Sequence, residues 1–148
     1  MKFLLDTNVY FAAIHEAGFL DTYGPLLLRI APRTFLSSVV RFELLQGASG
    51  DLGRARVTGA TRHLERTGRL VTPSHGDWER AGRIQGALWD ENPRLRTKSF
   101  QNDILIASSA RRIGATVVSE NLDDFGTIAR YWSHRVLSVA ALASALGA

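Results

Sequence analysis

Three apolar residues, Phe3-Leu4-Leu5, run straight into a carboxylate, a hydroxyl and an amide, Asp6-Thr7-Asn8. A short continuous apolar run is how a strand buried on both faces reads, and sheets buried on both faces are parallel sheets covered by helices. In open sheets of that kind, ligands sit at the carboxyl ends of the strands. Asp6 therefore stands where such folds do chemistry. It also stands where a helix N-cap belongs, since Asp, Thr and Asn all suit that position. This stretch alone leaves both roles open.

The rest of the chain alternates in the same way. Residues 2–6 read as the first strand, and helices are expected over 8–16 and 20–30, the second ended by Ala31-Pro32. A short strand is expected over 34–37. Ser38 suits the cap of a helix over 39–46, which Gly47 ends. Residues 52–69 have helical spacing and are rich in Arg, and 70–72 suit a third strand. A helix over 75–90 stops at Asn92-Pro93, because a residue before proline is pushed out of the helical region. Arg94, Arg96 and Lys98 make a basic loop. Residues 100–113 are the best-patterned helix, with Gly114 ending it. A strand over 116–119, a short helix or loop over 121–131, a last strand over 136–139 and a small Ala/Leu helix complete the chain. Strands alternating with helices argue for a parallel sheet with helices on both faces and right-handed crossovers.

The 148 residues suit one domain, 1–148, with a real core, and 45% apolar with 22% charged residues is ordinary globular composition. No stretch approaches the roughly 20 apolar residues of a membrane helix. Asp6 interrupts the N-terminal apolar run too early for a signal peptide. The absence of cysteine excludes disulfides and thiolate metal sites and permits a cytoplasmic location, which is the expectation here. Net charge is +4 and the pI is near 10.1, which points to an anionic partner such as nucleic acid. Only Lys2 and Lys98 are lysines, so 16 of the 18 cations are Arg; a genome favouring Arg codons would give the same excess.

Three further acidic positions echo Asp6. Val39 and Val40 lie four and three residues before Glu43, so Glu43 projects with the apolar stripe of its helix. A carboxylate turned inward must be paired, protonated or bound to a cation, and an Arg from another element would serve. Asp103 shares a stripe with Ile106, Ala107 and Ala110 near the start of its helix, where the dipole favours an anion and a simple first-turn Asp is also common. After the strand at 116–119 comes Ser119-Glu120-Asn121-Leu122-Asp123-Asp124-Phe125, again a hydroxyl, an amide and carboxylates at a strand end. Carboxylates gathered at one sheet edge raise one another's pKa, and a hard divalent cation relieves this. All-oxygen donors suit Mg²⁺ or Mn²⁺. His15, His63, His75 and His134 have no zinc spacing. Carboxylate-held Mg²⁺ without a nucleophilic side chain mostly serves phosphoryl transfer.

These blocks, Leu4-Leu5-Asp6-Thr7-Asn8, Glu43-Leu44-Leu45-Gln46-Gly47, Asn102-Asp103-Ile104-Leu105-Ile106-Ala107 and the run 119–125, resemble in order and spacing the four signature blocks of PIN-domain ribonucleases. They are most similar to the VapC-like toxins of toxin–antitoxin pairs, over nearly the whole chain. The resemblance implies an α/β/α sandwich with a parallel sheet, and RNA cleavage dependent on Mg²⁺ or Mn²⁺. It also implies a cognate antitoxin and commonly a homodimer. By position, Asp6, Glu43 and Asp103 match three of the family's acids. Asp124 is the best match to the fourth, with Asp123 beside it leaving that assignment ambiguous. Asn121 matches the family's amide, and Ser119 stands where the block usually opens with Thr.

The mechanism expected on that basis has Asp6, Asp103 and Asp124 holding one or two metal ions, while Glu43 is a ligand or orients the attacking water. Thr7, Asn8, Ser119 and Asn121 would position carboxylates or water. The Arg-rich 52–69 segment and Arg94, Arg96 and Lys98 are candidate contacts to RNA backbone, although a solvated helix explains the former as well. Phe42, Trp78, Trp89 and Trp132 are expected in the core or an interface rather than as base-stacking platforms. Rival readings are weaker or different in kind. A haloacid-dehalogenase-type phosphatase needs a second Asp where Asn8 stands. A receiver domain needs an Asp where Thr72-Pro73-Ser74 stands. A non-catalytic nucleic-acid- or protein-binding module would have its acids salt-bridged.

Overall fold

The computed structural model describes residues 1–147. Strand β1 (Lys2–Leu5) lies in the middle of a five-stranded sheet of order β3-β2-β1-β4-β5. Its neighbours are β2 (Thr34–Ser37) and β4 (Ala115–Val118), with β3 (Leu70–Val71) and β5 (Val136–Leu137) at the edges, and every pairing is parallel. Phe3 pairs with Thr34 on one side and Thr116 on the other, and Leu5 pairs with Val118. The Asp6 N–H carries the ladder one residue further by donating to the Val118 carbonyl at 2.9 Å. Phe3, Leu4, Val117 and Val118 are fully buried, as an inner strand with helices on both faces requires. Truncating one of them, Leu4→Ala for instance, would cost about 2–5 kcal/mol through lost burial and the cavity left behind.

The strand order places the site. From β1 the chain steps outward to β2 and β3, then returns across the sheet to β4 on the other side of β1. The connections leaving β1 and β4 therefore diverge, and a crevice opens between their carboxyl ends. Right-handed crossovers put α1 (Thr7–His15), α2 (Phe19–Ile30), α3 (Ser38–Gly47) and α4 (Gly50–Arg66) on one face. They put α5 (His75–Trp89), α6 (Lys98–Arg112) and α7 (Leu122–Ala129) on the other. The packing agrees: α1 contacts α2, α3 and α4, while α6 contacts α5, α7 and β4. Helix α8 (Val139–Ala145) returns to pack on α2. This is the α/β/α arrangement with a central parallel sheet. Among the described residues no helix is long and apolar enough to cross a membrane.

Several local expectations shift. Ser37, not Ser38, caps α3: its hydroxyl accepts the Val39 N–H at 3.2 Å, so strand passes into helix with no loop between. The N-terminal end of α6 lies two residues earlier than the periodicity predicts, because Thr97 caps it by accepting the Phe100 N–H at 3.1 Å. Lys98 thus opens the helix instead of closing a loop, and Asp103 sits beyond the first turn, where capping no longer accounts for it. Phe42, Trp78 and Trp89 are exposed rather than in the core. Trp132 does pack on the core, with the Arg80 and Arg111 guanidinium carbons 3.5 and 3.9 Å from its ring centroid.

Candidate active site

Asp6 leaves the end of β1 buried, with 4% of its surface exposed. It does cap α1, accepting the Thr7 N–H at 2.8 Å through Oδ1. Its other oxygen, Oδ2, faces across the crevice and accepts the Ser119 hydroxyl at 2.6 Å and the Asn8 amide at 3.2 Å. Asn8 Nδ2 also donates to Ser119 Oγ at 3.1 Å, and its Oδ1 accepts the Glu120 N–H at 3.3 Å. Asn8 therefore laces the β1 turn to the β4 turn. Capping and facing the crevice are two uses of one carboxylate.

Glu43 is half-buried on α3 and turned towards α1 and α6. Thr7 Oγ1 donates to its Oε1 at 2.7 Å and Asn102 Nδ2 to its Oε2 at 3.2 Å. Asp103 lies one residue along α6, 5% exposed. Asn121 Nδ2 donates both to Asp103 Oδ2 at 3.1 Å and to Asp124 Oδ2 at 3.0 Å, so one amide ties these two acids together. Asp123 points outward and is exposed, and only its carbonyl is used, by the Thr127 hydroxyl. Of the two adjacent acids, geometry joins Asp124 to the cluster.

Burial dominates the electrostatics of the cluster. It raises the Asp103 pKa, and the charges of Asp6, Asp124 and Glu43 raise it further, to about 8, against a smaller opposing effect of Asn121. Asp6 is also raised by burial, partly offset by Ser119 and the Thr7 N–H, with Glu43 raising it again. The donors around these acids are hydroxyls, amides and a backbone N–H. Among the described residues no Arg, Lys or His forms an ion pair with Asp6, Glu43, Asp103 or Asp124. The Arg partner that a purely structural Glu43 would require is therefore not there.

Asp6, Thr7, Asn8, Glu43, Asp103 and Asn121 line one open cleft of about 310 Å³ together with Phe11, Glu16 and Ser99. No three acids or imidazoles among the described residues stand ready in coordination geometry around one point. Mg²⁺ does not require such a cage, since it keeps several waters and is held by one or two carboxylates plus substrate oxygens. The donor set fits, being all oxygen, anionic, buried and mutually repelling.

Asn102, which donates to Glu43 from the wall of the neighbouring groove, and Ser99 and Glu16, which line the cleft, are not marked by the acidic pattern. The first two are within reach of periodicity, since Ser99, Asn102 and Asp103 share a face of α6 at spacings of three and four. Glu16 follows Val9 and Ala12 on one side of α1 by helical spacing, but its place in the cleft depends on how α1 packs. The basic candidates separate. Lys98 lies beside the cleft in the neighbouring groove. Arg96 is occupied at the end of α5, donating to the Trp89 carbonyl at 2.8 Å, pairing with Asp90 and lying over the Trp89 ring. Arg94 is exposed on the turn Pro93–Leu95. In and around the Arg-rich stretch, Arg54 pairs with Asp51, Glu65 pairs with Arg41 of α3, and Arg69 donates to the Ala31 carbonyl. Those contacts fit a solvated helix, although Arg56 does line a groove beside Thr7 and Glu43.

Comparison with known proteins agrees with this architecture. Solved chains of similar fold include one from VapBC2 of Rickettsia felis bound to a DNA fragment from their promoter, at 22% identity and a TM-score of 0.67, covering 93% of this chain and 98% of that one. Another is from DNA-bound VapBC of Salmonella typhimurium, at 22% identity and a TM-score of 0.65, covering 94% and 98%. A third, from VapBC-1 of nontypeable Haemophilus influenzae, has 19% identity and a TM-score of 0.62, covering 95% and 99%. Among curated proteins none matches the sequence. The sequence pattern of the PIN domain matches residues 3–131. With that match over most of its length, on this sheet and around this crevice, the chain belongs to the PIN domain family.

Proposed function

We propose that the protein is an endoribonuclease that cleaves RNA phosphodiesters with Mg²⁺ or Mn²⁺, and is the VapC-like toxin of a toxin–antitoxin pair. The observation that carries this reading is Asp6, Glu43 and Asp103 lining one open cleft, with Asp124 tied to Asp103 through Asn121, and no cation paired with any of the four among the described residues. Such a cluster carries uncompensated charge, and a cation relieves it. Asp6 and Asp103 would hold the metal directly, with Asp124 joining directly or through water. A divalent metal there supplies activation of water and offsets charge developing on the phosphate.

The chain's own residues do the rest. Thr7 and Asn102 fix both oxygens of Glu43, leaving their free lone pairs to orient the attacking water. Ser119 and Asn8 hold Asp6, and Asn121 holds Asp103 and Asp124 at a set separation, as supporting groups around metal ligands do. In-line attack of water on phosphorus breaks the P–O3′ bond, leaving a 5′-phosphate and a 3′-hydroxyl. Arg94, Arg96 and Lys98 are assigned to RNA backbone, with Lys98 best placed.

The antitoxin partner is supported by the fold's likeness to chains solved in VapBC complexes. The same reading carries one PIN-like domain over residues 1–148, a homodimer and a cytoplasmic location. A short neighbouring gene for a DNA-binding antitoxin is the expected genomic companion. The deciding experiment incubates purified protein with structured and unstructured RNAs in Mg²⁺ or Mn²⁺, in EDTA, and as Asp6→Asn. Cleavage confined to the metal-loaded wild type is expected; full activity in EDTA or in Asp6→Asn overturns the reading. Calorimetric titration with Mn²⁺ gives a second check, since a salt-bridged binding module would take up none.

A further inference from the structure

Beside the acidic cleft lies a larger cavity, about 560 Å³, between α3, the Thr72-Pro73 turn, the first turn of α5 and the start of α6. The two spaces share Glu43 and Ser99, so the cavity adjoins the cleft across these two side chains. Two aromatic rings on its wall are not used by the core: Phe42 is 58% exposed and Trp78 is 51% exposed. Helical geometry explains why. Phe42 is one residue before Glu43 and so lies about 100° around α3 from it. Trp78 is likewise one residue off the Asp77, Ala81, Ile84 and Leu88 stripe that α5 buries. The rest of the wall is mixed: Val39 and Leu105 are apolar, Gln46, Gln101 and Asn102 are amides, and Lys98 faces the same space as the Glu43 carboxylate.

We propose that this cavity receives unpaired bases of single-stranded RNA next to the scissile phosphate, with Phe42 and Trp78 as stacking surfaces and Lys98 on the backbone. This rests on the ribonuclease reading and names where its substrate is gripped. Four carboxylates repel a polyanion, so affinity has to come from outside the cleft. Planar bases offer a π-face to an aromatic ring and hydrogen-bonding edges to amides, and this wall presents both. Lys98 is the cation on it. A second copy of the chain would need roughly 800 Å² of complementary surface per partner, whereas this is a concavity in which the two rings stand among amides and an ammonium that suit base edges and backbone.

The test measures binding of a short fluorescein-labelled single-stranded RNA of mixed sequence, in an Asp103→Asn background that removes the chemistry. Phe42→Ala and Trp78→Ala are each expected to weaken Kd by about 5- to 150-fold, the range for losing one stacked base. Trp78→Phe, which keeps a ring, is expected to stay within about threefold of the parent. Leu28→Ala, an exposed apolar residue on α2 away from the cavity, is the control and is expected to leave Kd unchanged. Failure of the parent to bind, or alanine variants that bind like it, overturns the proposal. So does a loss of self-association in sedimentation with RNA affinity intact, which would give this face to a second copy. If wild type cleaves RNA while the alanine variants bind normally, the cavity proposal fails and the ribonuclease stands. If the cavity binds RNA but wild type cleaves none with Mn²⁺, the ribonuclease reading is what fails.

Discussion

Two buried carboxylates on neighbouring helices meet opposite fates. Asp77, on α5, is 1% exposed; Asp103, on α6, is 5% exposed. Burial pushes both pKa values up. At Asp77, hydrogen bonds from the Ser108 hydroxyl, the Ser74 N–H and Arg112 outweigh burial and bring the value below the usual carboxylate range. The distances are 2.6, 2.8 and 3.0 Å, and Arg80 adds an ion pair at 3.6 Å. Asp103 has no cation and three acidic neighbours, and it rises to about 8. The first acid is structural because its charge is answered. The second is left unanswered inside an open cleft, and a strongly raised acid in a cleft is the environment of a functional group rather than of one that locks a helix.

The largest expected break in this comparison comes from neutralising the unanswered side. Asp103→Asn and Asp6→Asn should each lower metal-dependent RNA cleavage by more than about 100-fold, since loss of even a supporting residue at a metal site costs 10–100-fold. Thermal melting of the metal-free Asp103→Asn protein should show no loss of stability; a clear fall in Tm would contradict the uncompensated charge.

On the answered side the sign reverses. Asp77→Ala should cost about 2 kcal/mol, because it removes the capping box of α5 and leaves Ser108 without its acceptor. Arg80 and Arg112 are partly exposed and can rehydrate, which keeps the cost below that of a fully buried pair. Differential scanning calorimetry should record a Tm several degrees lower, with cleavage per folded molecule retained. Ser119→Ala, which frees Asp6 Oδ2 from a 2.6 Å bond, is expected to reduce cleavage by about 10-fold or more through weaker metal affinity. Raising Mn²⁺ should recover much of that loss.

The gentlest probe is pH. Asp103 is raised, so the unfolded chain gives up this proton near pH 4 while the folded protein keeps it to about pH 8. Metal-free stability should fall across that window as pH rises, by at most about 1.4 kcal/mol per pH unit from this group. Asp77 acts the other way, its contribution being lost as pH drops through the acid range. Denaturant melts of wild type and Asp103→Asn at several pH values separate the two, and a slope identical in both proteins would remove Asp103 as its source.

Much of the fold and the site is legible from local pattern. Phe3-Leu4-Leu5 before Asp6, and the apolar stripe carrying Glu43 and Asp103, depend on period and burial, which neighbouring residues fix. Thr7, Asn8, Ser119 and Asn121 are readable as supporting groups because each adjoins an acid or a strand end in sequence. Other assignments lie beyond local pattern. Asp123 and Asp124 are chemically equal neighbours, and only the turn of α7 sends one inward to share Asn121. Phe42 and Trp78 are outside the core of the chain, which local pattern did not show, because apolar character says a ring prefers burial and not whether the neighbouring elements leave room to bury it.

The sequence by itself determined the alternation of strand and helix, the inward phase of the acids and their chemical type, since these depend on backbone periodicity and side-chain chemistry within a few residues. The tertiary structure decided which acids meet and which have cations. Asp6 and Ser119 are 113 residues apart and bond only because β1 lies beside β4. Asp77 finds Arg112 across the packing of α5 on α6, whereas Asp103 on that same helix finds the Asn121 amide and other acids but no cation. Strand order is set by long-range burial, and with it the electrostatic environment of every carboxylate at the edge.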